Sequence, residues 1–346
     1  MKPSVLILAS GGVDSSIAAY LLKKRGHPVT GLFLRMTRTP QEDSALSNAR
    51  RFFDWLGQRL VVRDVSDRFS GKILNYFEKS YLSGQTPNCC CICNWQIKIR
   101  TGLEVVEDLG IPFLATGHYA RILRARHTYL LRARHKKKDQ SYFLHRIRSY
   151  ALDRLLFPLG DMEKEEVRKM AKDLGLSGLF HNESQDICFF KGDYREFLKG
   201  RSGQYCMPGK IVTTDGKVLG SHKGIWAYTV GQRRGLGLPD KTPYYVVEIR
   251  ADKNEVVVGK KVQLFKKEMM VKDINWLVAP KMPGTAPCKV KIRSRHEPAE
   301  ALVQVNTHDL EVARVVFKQP QRAVTPGQFA VFYKGKVVLG GGRICK

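Results

Sequence analysis

The chain has 346 residues, of which 43% are hydrophobic and 26% charged, a balance typical of a folded protein of two or three domains. Lys and Arg outnumber Asp and Glu by 59 to 32, which gives a formal net charge of +27. This excess favours a polyanionic partner over a merely solvated basic surface, because each phosphate neutralised by Lys or Arg releases counterions. No run of eighteen apolar residues occurs, so we expect no contact with a membrane.

Strand-like and helix-like segments alternate from residue 1 to about 195. The apolar run SVLILAS predicts a buried strand, and the helical pattern after it ends at Gly26. A second strand, a helix ending at Gly57 and a third strand follow, and later segments repeat the alternation. This succession predicts an α/β fold with a Rossmann-like, mainly parallel sheet, which we assign to residues 1–200.

The pattern changes after about residue 205. Short alternating runs are separated there by Gly, Asp-Gly and Asn turns, which is typical of small β-barrels or sandwiches. A proline-rich stretch, Ala279–Pro287, precedes the last group of strands. We therefore predict a small central β domain at residues 201–275 and a C-terminal β-barrel at residues 276–346.

The sequence ASGGVDSS, here called the glycine loop (Ala9–Ser16), lies between the first predicted strand and helix. Small residues let the backbone approach a phosphate, and the N-terminus of a helix offers N–H groups and partial positive charge. No lysine follows as in the GxxxxGK[ST] loop, which disfavours transfer of a γ-phosphate. The alternative is a tight turn in which Asp14 or Ser15 caps the helix.

Four of the eight cysteines lie within five consecutive positions, residues 89–93, in the segment TPNCCCICN. The N-terminal apolar run leads into a glycine turn, so we expect a buried strand there and no cleaved signal, and hence a cytoplasmic protein. In a reducing compartment, grouped cysteines favour a metal site or catalysis over structural disulfides.

The sequence SGGxDS resembles the PP-loop of the ATP pyrophosphatase superfamily, whose members release pyrophosphate and activate a carbonyl oxygen as an adenylate. Further segments stand in the order seen in tRNA-specific 2-thiouridylases of the MnmA type: TPNCCCICNWQIKI, ATGHYARI, KKDQSYFL, SQDICF, YTVGQRRGLG, AVTPGQFAVFY and VVLGGGRI. The resemblance covers essentially the whole chain. It implies thiolation of C2 of the wobble uridine in the anticodon stem-loop of tRNA, with ATP and Mg²⁺ and with tRNA contacts from both β domains.

The resemblance also implies roles for individual residues. The ATP contacts it implies are Leu8, Ala9, Ser10, Gly11, Gly12, Val13, Asp14, Ser15, Leu34 and Gly117, with Asp14 also a candidate catalytic residue. The tRNA contacts it implies are Asn88, His118, Lys138, Asp139, Gln140, Arg293 and Gln328, with Asn88 facing the target uridine. From the residues alone, a buried structural histidine stays an alternative for His118, and a solvated side chain for Arg293.

The cysteines carry the implied sulfur chemistry. Cys93 matches the first catalytic cysteine of the family, and Cys188 matches the second, which bears a persulfide. The family pattern N-P-D-x-x-C-N has an aspartate where this chain has Cys90. With that change, the chain resembles thiouridine synthetases that hold a [4Fe–4S] cluster by three cysteines, here Cys90, Cys93 and Cys188.

We expect such a cluster to carry a hydrosulfide to the activated uridine, with sulfide or a sulfurtransferase as donor. The alternatives are a Cys188 persulfide acting with Cys93 and no cluster, and a structural zinc. Cys89 and Cys91 are expected to take no part, because in an extended chain they point away from Cys90 and Cys93.

Two other classes of function stay open on the sequence alone. A PP-loop synthetase acting on a small carboxylate or nucleotide accounts for the glycine loop, but not for the charge or the cysteines. A non-catalytic RNA-binding module with a structural metal accounts for the charge and the cysteines, but leaves the glycine loop without a function.

Overall fold

The structure is a computed structural model that describes residues 2–176, 188–190, 192–201, 207–279, 284–306 and 309–345. The first elements alternate as predicted: β1 (Val5–Leu8), α1 (Val13–Lys24), β2 (Val29–Arg35), α2 (Pro40–Leu56) and β3 (Leu60–Asp64). The side chains of β1 alternate between the two faces of the sheet. Val5 and Ile7 pack with α1 and α2, whereas Leu6 packs into the core on the opposite face.

Two longer helices follow, and each contains a π-helical turn. The first comprises α3 (Ser66–Phe69), a π-helical turn (Ser70–Leu74) and α4 (Asn75–Leu82). The second comprises α5 (Cys89–Cys93), here called the cysteine helix, a π-helical turn (Asn94–Ile99) and α6 (Arg100–Asp108). Single π-helical turns inside α-helices occur frequently at functional sites, because they change which side chains share a face.

The remaining elements of the first half are β4 (Phe113–Ala115), β5 (Ala120–Arg124), β6 (Thr128–Arg132), β7 (Leu155–Leu156), α7 (Lys164–Asp173) and α8 (Tyr194–Arg201). Five strands form one sheet in the order β3-β2-β1-β4-β7, and every pairing in it is parallel. The predicted α/β fold with a mainly parallel sheet is confirmed. The carboxyl ends of β1 and β4 lie side by side at one edge of this sheet, which is where ligands bind in open α/β folds.

The second half is β-rich. A central four-stranded sheet has the order β10-β11-β8-β9 and consists of β8 (Gly209–Thr213), β9 (Val218–His222), β10 (Tyr245–Arg250) and β11 (Glu255–Gly259). The C-terminal strands are β12 (Phe265–Trp276), β13 (Thr285–Lys291), β14 (Ala299–Val305), β15 (Ala313–Arg322), β16 (Phe329–Lys334) and β17 (Val337–Cys345). They form a closed six-stranded barrel, because β12 pairs with both β15 and β17.

The barrel and the N-terminal half are joined by a shared sheet and a shared core. The hairpin β5–β6 pairs with β17 through Leu131 and Val337, so it extends the barrel sheet and not the parallel sheet. The core that contains the cysteine helix also contains Phe329 and Tyr333 of β16. In the described part of the chain, no helix has the length and apolar character needed to cross a membrane.

Candidate functional site

The glycine loop turns directly from β1 into α1. Gly12 occupies the N-cap position, and no described side chain caps this end of the helix, so neither Asp14 nor Ser15 acts as the cap. Ser15 instead braces the loop: its hydroxyl donates to the Gly12 carbonyl at 3.0 Å and accepts from the Ser10 N–H at 3.2 Å. The first-turn N–H groups are thereby left for an anionic ligand.

Two glycines permit close contacts around the loop. Gly11 has φ of +70°, and a Cβ atom there would lie 2.0 Å from the Ala45 carbonyl oxygen of α2. Gly117 follows β4, and a Cβ atom there would lie 2.8 Å from the Ser15 backbone nitrogen. Any larger residue at either position would push α2 or the β4 loop away from the glycine loop.

Asp14 is held in place by a lysine that the sequence analysis missed. Lys164 Nζ lies 2.7 Å from Asp14 Oδ1, and the Tyr119 hydroxyl donates to the same oxygen at 2.8 Å. The Lys164 side chain is only 2% exposed. Lys164 is the first residue of α7, and only the packing of α7 against α1 reveals its role.

The cysteine segment is helical, which corrects the expectation of an extended chain. Cys90 and Cys93 are three residues apart and Cys89 and Cys93 are four apart, so both pairs lie on neighbouring helical positions. The argument that Cys89 points away from Cys93 therefore fails. Cys91 is fully buried in the hydrophobic core, with its Sγ 3.9 Å from the Tyr142 carbonyl oxygen.

The structure brings the three predicted sulfur ligands into electrostatic contact. Cys90 and Cys188 are exposed, and Cys93 is buried. Burial raises the pKa of Cys93 to about 12, and the Cys188 and Cys90 thiolates add to this rise. Residues 177–187, which precede Cys188, lie outside the described residues. Within the described ranges, no three His, Cys, Asp or Glu side chains are arranged to hold a metal ion, so the cluster ligands stay a prediction.

Lys98 is a second residue that the sequence analysis missed. Burial acts to lower its pKa, but the thiolates of Cys93, Cys188 and Cys90 outweigh burial and raise it. In return, Lys98 opposes the rise in the pKa of Cys93. The π-helical turn separates Lys98 from Cys93 by five residues, a spacing that matches one π-helical turn and that α-helical periodicity does not suggest.

His118 lies between the glycine loop and the thiols. It directly follows Gly117, and its Nδ1 lies 2.8 Å from the Thr116 hydroxyl. Burial, with a further contribution from the Lys98 charge, lowers the pKa of His118 to about 3. The imidazole is therefore neutral at physiological pH, so it can take part in a hydrogen bond and carries no charge.

Two of the predicted tRNA contacts lie beside the cysteine helix. Asn88 is partly buried at its N-cap position and makes no capping bond. The Gln328 amide donates to the carbonyl oxygens of Thr86 at 3.1 Å and Pro87 at 3.4 Å. The barrel thus supports the two residues immediately before Asn88.

The other predicted contacts make internal bonds or lie at the surface. The Asp139 carboxylate is fully buried and accepts from Arg132 Nε at 2.8 Å and from two backbone N–H groups. Gln140 Oε1 accepts from the Tyr119 N–H at 2.9 Å, and Lys138 is exposed. Arg293 donates to the Arg322 carbonyl, and Leu34, the predicted adenine contact, is 7% exposed in the hydrophobic core.

A broad groove of about 800 Å³ lies between the end of the β5–β6 hairpin and the outer face of the barrel. Its lining includes one acidic residue, Glu300, and seven basic ones: Arg132, Arg134, Lys136, Lys289, Lys318, Lys334 and Lys336. A surface with this balance of charge attracts a polyanion such as RNA.

Comparisons with known proteins cover nearly the whole chain. Three family models match: the tRNA methyl transferase HUP domain at residues 3–192, the tRNA methyl transferase PRC-barrel domain at 195–260 and the aminomethyltransferase beta-barrel domain at 266–344. A solved structure, the U34-tRNA thiolase NcsA from Methanococcus maripaludis with its [4Fe–4S] cluster, is 19% identical and covers 57% of this chain and 64% of its own, with a TM-score of 0.38.

Curated relatives agree over the full length. The tRNA-specific 2-thiouridylase MnmA of Carboxydothermus hydrogenoformans is 41% identical and covers 100% of this chain and 98% of its own length. The protein of the same name from Syntrophotalea carbinolica is 42% identical and covers 98% of each chain. This chain therefore belongs to the family of MnmA-type tRNA-specific 2-thiouridylases.

Proposed function

We propose that this protein is a tRNA-uridine 2-sulfurtransferase that thiolates C2 of the wobble uridine in an ATP-dependent reaction. The observation that carries the proposal is the position of His118 between two influences, the glycine loop and the Lys98 charge. Gly117 packs so closely that a Cβ atom on it would lie 2.8 Å from the Ser15 backbone nitrogen, so the next residue, His118, lies beside the loop. The Lys98 charge acts to lower the pKa of both His118 and Cys93, so one cation is within electrostatic range of the loop side and of the thiol. Adenylation followed by sulfur attack requires a phosphate-binding loop and a sulfur nucleophile in one site.

The glycine loop accounts for the first half of the reaction. Backbone N–H groups at the start of α1 bind the phosphates of ATP, and they stabilise the charge that develops on the leaving pyrophosphate. The uridine C2 oxygen attacks the α-phosphorus, pyrophosphate leaves, and C2 becomes electrophilic. Asp14 would hold Mg²⁺, because both of its hydrogen bonds use Oδ1 and its other oxygen has no partner among the described residues.

The thiols account for the second half. Sulfur attacks C2 as AMP leaves, and the thiolate is the reactive form. In the persulfide route, the terminal sulfur of a Cys188 persulfide bonds to C2. The Cys93 thiolate then attacks the Cys188 sulfur, which yields a Cys93–Cys188 disulfide and the 2-thiouridine. A reductant must restore both thiols, and Lys98 favours the thiolate form of Cys93.

The second sulfur route uses an iron–sulfur cluster. Cys90, Cys93 and Cys188 would hold a [4Fe–4S] cluster, which would supply an iron site able to carry sulfide. The chemistry of these three thiols suits such a cluster, because cysteine thiolates are its usual ligands, although no three described side chains are already grouped as metal ligands. Cys89 also interacts with all three, so it belongs in any test of the ligand set.

The basic groove on the barrel supports tRNA as the partner.

The names of the relatives and of the family models differ, because the relatives are called thiouridylases and two of the models carry a methyl transferase name. The chemistry of the site favours sulfur transfer, since thiols adjoin a loop suited to pyrophosphate. We place the reaction in the cytoplasm, where thiols stay reduced.

The product of the reaction tests the proposal. The protein is incubated with ATP, Mg²⁺, a thiol reductant and an unmodified transcript of a tRNA with a wobble uridine, with sulfide in one reaction and a persulfide-bearing sulfurtransferase in a second as sulfur donor, and the digested nucleosides are analysed by mass spectrometry. We expect exchange of one oxygen for sulfur in uridine, with AMP and pyrophosphate release that depends on tRNA. A methylated uridine, or pyrophosphate release without tRNA in the presence of a small carboxylate, would refute the proposal.

The metal content separates the two sulfur routes. Protein purified without oxygen is analysed for iron and acid-labile sulfide, and Cys90→Ala, Cys89→Ala and the control Cys345→Ala are prepared in parallel. The cluster route predicts iron in the control and loss of both iron and thiolation in Cys90→Ala. Iron-free protein that thiolates tRNA with a sulfurtransferase, and a fully active Cys90→Ala variant, would establish the persulfide route instead.

A further inference from the structure

A second cavity, here called the seam cleft, lies between α4, the cysteine helix and the barrel. Its volume is about 390 Å³, which is large enough for a small ligand. Tyr76 and Lys79 line it from α4, and Ile92 lines it from the cysteine helix. Charged groups come from Arg146 and from two barrel residues, Asp273 and Arg343, and further polar groups line the wall at Ser80, Ser83 and Gln85.

Two buried donors in the wall of this cleft lack an acceptor. The Tyr76 hydroxyl and Arg146 Nε are both inaccessible to solvent and make no hydrogen bond. The nearest candidate partner is the Ser80 hydroxyl, which donates its proton to the Tyr76 carbonyl at 2.7 Å; its oxygen could still accept, but it makes no hydrogen bond of good geometry with the Tyr76 hydroxyl. Buried polar groups nearly always have a partner, so two orphans in one cavity indicate a ligand.

The protonation of both groups makes them donors. Burial raises the pKa of Tyr76, with the nearby Cys89 and Cys91 thiolates adding to the rise, so the hydroxyl keeps its proton. The Arg146 guanidinium stacks on the Phe329 ring at 5.6 Å and donates through Nη1 to the Asp273 carbonyl oxygen at 3.2 Å. These two contacts fix the guanidinium and leave its Nε–H without an acceptor.

The charge of the cleft is positive. Arg343 Nε and Nη2 lie 3.0 and 2.9 Å from Asp273 Oδ2, so one cation neutralises the only carboxylate in the wall. Arg146 and Lys79 remain, and Lys79 makes no ion pair within the described part of the chain. Two uncompensated cations suit an oxyanion of the phosphate class, and the two unused donors become available to it when their side chains turn toward the cleft.

We propose that the seam cleft binds a backbone phosphate of the tRNA, an inference that rests on the proposed function. The cleft opens to the surface on one side of the cysteine helix, and Ile92 in its wall directly precedes Cys93. Consecutive residues of a helix point in different directions, so the cleft and Cys93 lie on neighbouring sides of the cysteine helix. We infer that a strand that presents its uridine to Cys93 passes the cleft on the adjacent side. Phosphate contacts of this kind fix register and orientation and carry no sequence information. The seam cleft thus positions the RNA strand relative to the thiols.

Binding of unmodified tRNA, measured over a range of salt concentrations without ATP or a sulfur source, tests this inference. Arg146→Gln should weaken binding about tenfold and reduce the slope of log K against log salt by about 0.7 to 0.9, the value of one phosphate contact. Tyr76→Phe should weaken binding about three- to tenfold with an unchanged slope, because it removes a neutral donor. The control Arg314→Gln removes an equal charge from the barrel surface, outside the cleft, and should leave affinity within about twofold.

Two results would overturn the inference. The first is a tRNA affinity of Tyr76→Phe and Arg146→Gln equal to that of Arg314→Gln, whether all three variants bind as the wild type does or all three lose affinity equally. The second is thermal stabilisation of the wild type by inorganic phosphate that Arg146→Gln abolishes while its tRNA affinity is unchanged, which would assign the cleft to free phosphate.

Two further readouts keep the test decisive. If Arg146→Gln unfolds because it loses its stacking on Phe329, Tyr76→Phe decides the question, since it keeps the ring in place. A wild type that binds tRNA through the cleft but forms no 2-thiouridine refutes the proposed reaction alone. A wild type that thiolates tRNA, with cleft variants that bind normally, refutes only the role of the cleft.

Discussion

The glycine loop and the cysteine helix are built in opposite ways. Three polar side chains of the loop are paired: Asp14 with Lys164 and Tyr119, and Ser15 with Ser10 and the Gly12 carbonyl. In the cysteine helix, the thiols raise one another's pKa, and Lys98 acts against that rise.

This difference matches the proposed roles of the two regions, phosphate binding by the glycine loop and sulfur transfer by the cysteine helix. A loop that binds phosphate always meets a ligand of the same charge, so its donors and its glycines can be fixed before the ligand arrives. A sulfur site must donate electrons from a thiolate to an electrophile. Neighbouring thiols make it harder for one another to lose a proton, but a thiolate with a high pKa is a strong nucleophile once it has formed. A metal that binds these thiols must displace protons that the free site holds tightly, so its binding should strengthen as the pH rises.

The largest expected effect comes from removing a sulfur atom. Cys93→Ala and Cys188→Ala should each lower thiolation of tRNA by at least about 10⁴-fold, as loss of a nucleophile does in other enzymes. Release of pyrophosphate in the presence of tRNA should persist, because the glycine loop is intact. Nucleoside mass spectrometry and a pyrophosphate assay measure the two steps, with Cys345→Ala as the control. Parallel loss of both steps would show that the two regions do not act separately.

The reverse experiment removes the support of the loop. Lys164→Met leaves Asp14 with only the Tyr119 hydroxyl, so we expect tRNA-dependent pyrophosphate release to fall about 10²-fold. The sulfur site should be unaffected, which labelling of Cys93 and Cys188 with a thiol reagent would measure. Lys172→Met, in the last turn of the same helix, is the control. Pyrophosphate release at the control rate in Lys164→Met would contradict the assigned role.

The sequence predicted the glycine loop well because that site is local. A strand, small residues and a helix within sixteen positions define its backbone, and the structure adds the reason for Gly11, a carbonyl of α2 that leaves no space for Cβ. Lys164 was not predicted, since its contact with Asp14 spans 150 positions. A lysine at the start of a helix ordinarily lies in solvent, so only tertiary packing reveals this one.

The sulfur site and the barrel were harder to predict for similar reasons. The cysteines were found, but their helical backbone was not, because a run of small side chains carries no clear periodicity. The π-helical turn that separates Lys98 from Cys93 also has no sequence signal. The hairpin β5–β6 was not predicted to pair with β17, because that pairing joins Leu131 to Val337. The boundaries at residues 200 and 275 stay predictions.

The pH dependence of thiol labelling sharpens the comparison. Since the pKa of Cys93 is about 12, its alkylation rate should keep rising about tenfold per pH unit above about pH 9, where ordinary thiols level off. Lys98 stabilises the thiolate, so Lys98→Met should raise that pKa and slow labelling about three- to tenfold at each pH. Cys288, whose pKa burial also raises to about 12, is the matched control.

Site-resolved mass spectrometry of labelled peptides gives both rates in one sample. Lys98→Met should leave the profile of Cys288 unchanged, because Lys98 is not among the groups that act on it. A Cys93 profile that levels near pH 9, or equal slowing at both cysteines, would contradict this account of the site.

The smallest expected effect concerns the contact between the C-terminal barrel and the segment that precedes the cysteine helix. Gln328→Leu removes the amide that donates to the Thr86 and Pro87 carbonyls, at a cost of about 1 kcal/mol in the free energy of unfolding. If Gln328 positions the cysteine helix, kcat for thiolation should fall about three- to tenfold while tRNA affinity is unchanged.

The same variant separates this role from the predicted tRNA contact. If Gln328 contacts RNA directly, the Kd for tRNA should rise and kcat should be preserved. Gln319→Leu, on the exposed surface of β15, controls for the loss of an amide elsewhere on the barrel. A fall in kcat with constant Kd would mean that the barrel orients the thiols through Thr86 and Pro87, so that part of the sulfur site is held from outside the parallel sheet. A variant equal to the control in both constants would exclude both roles.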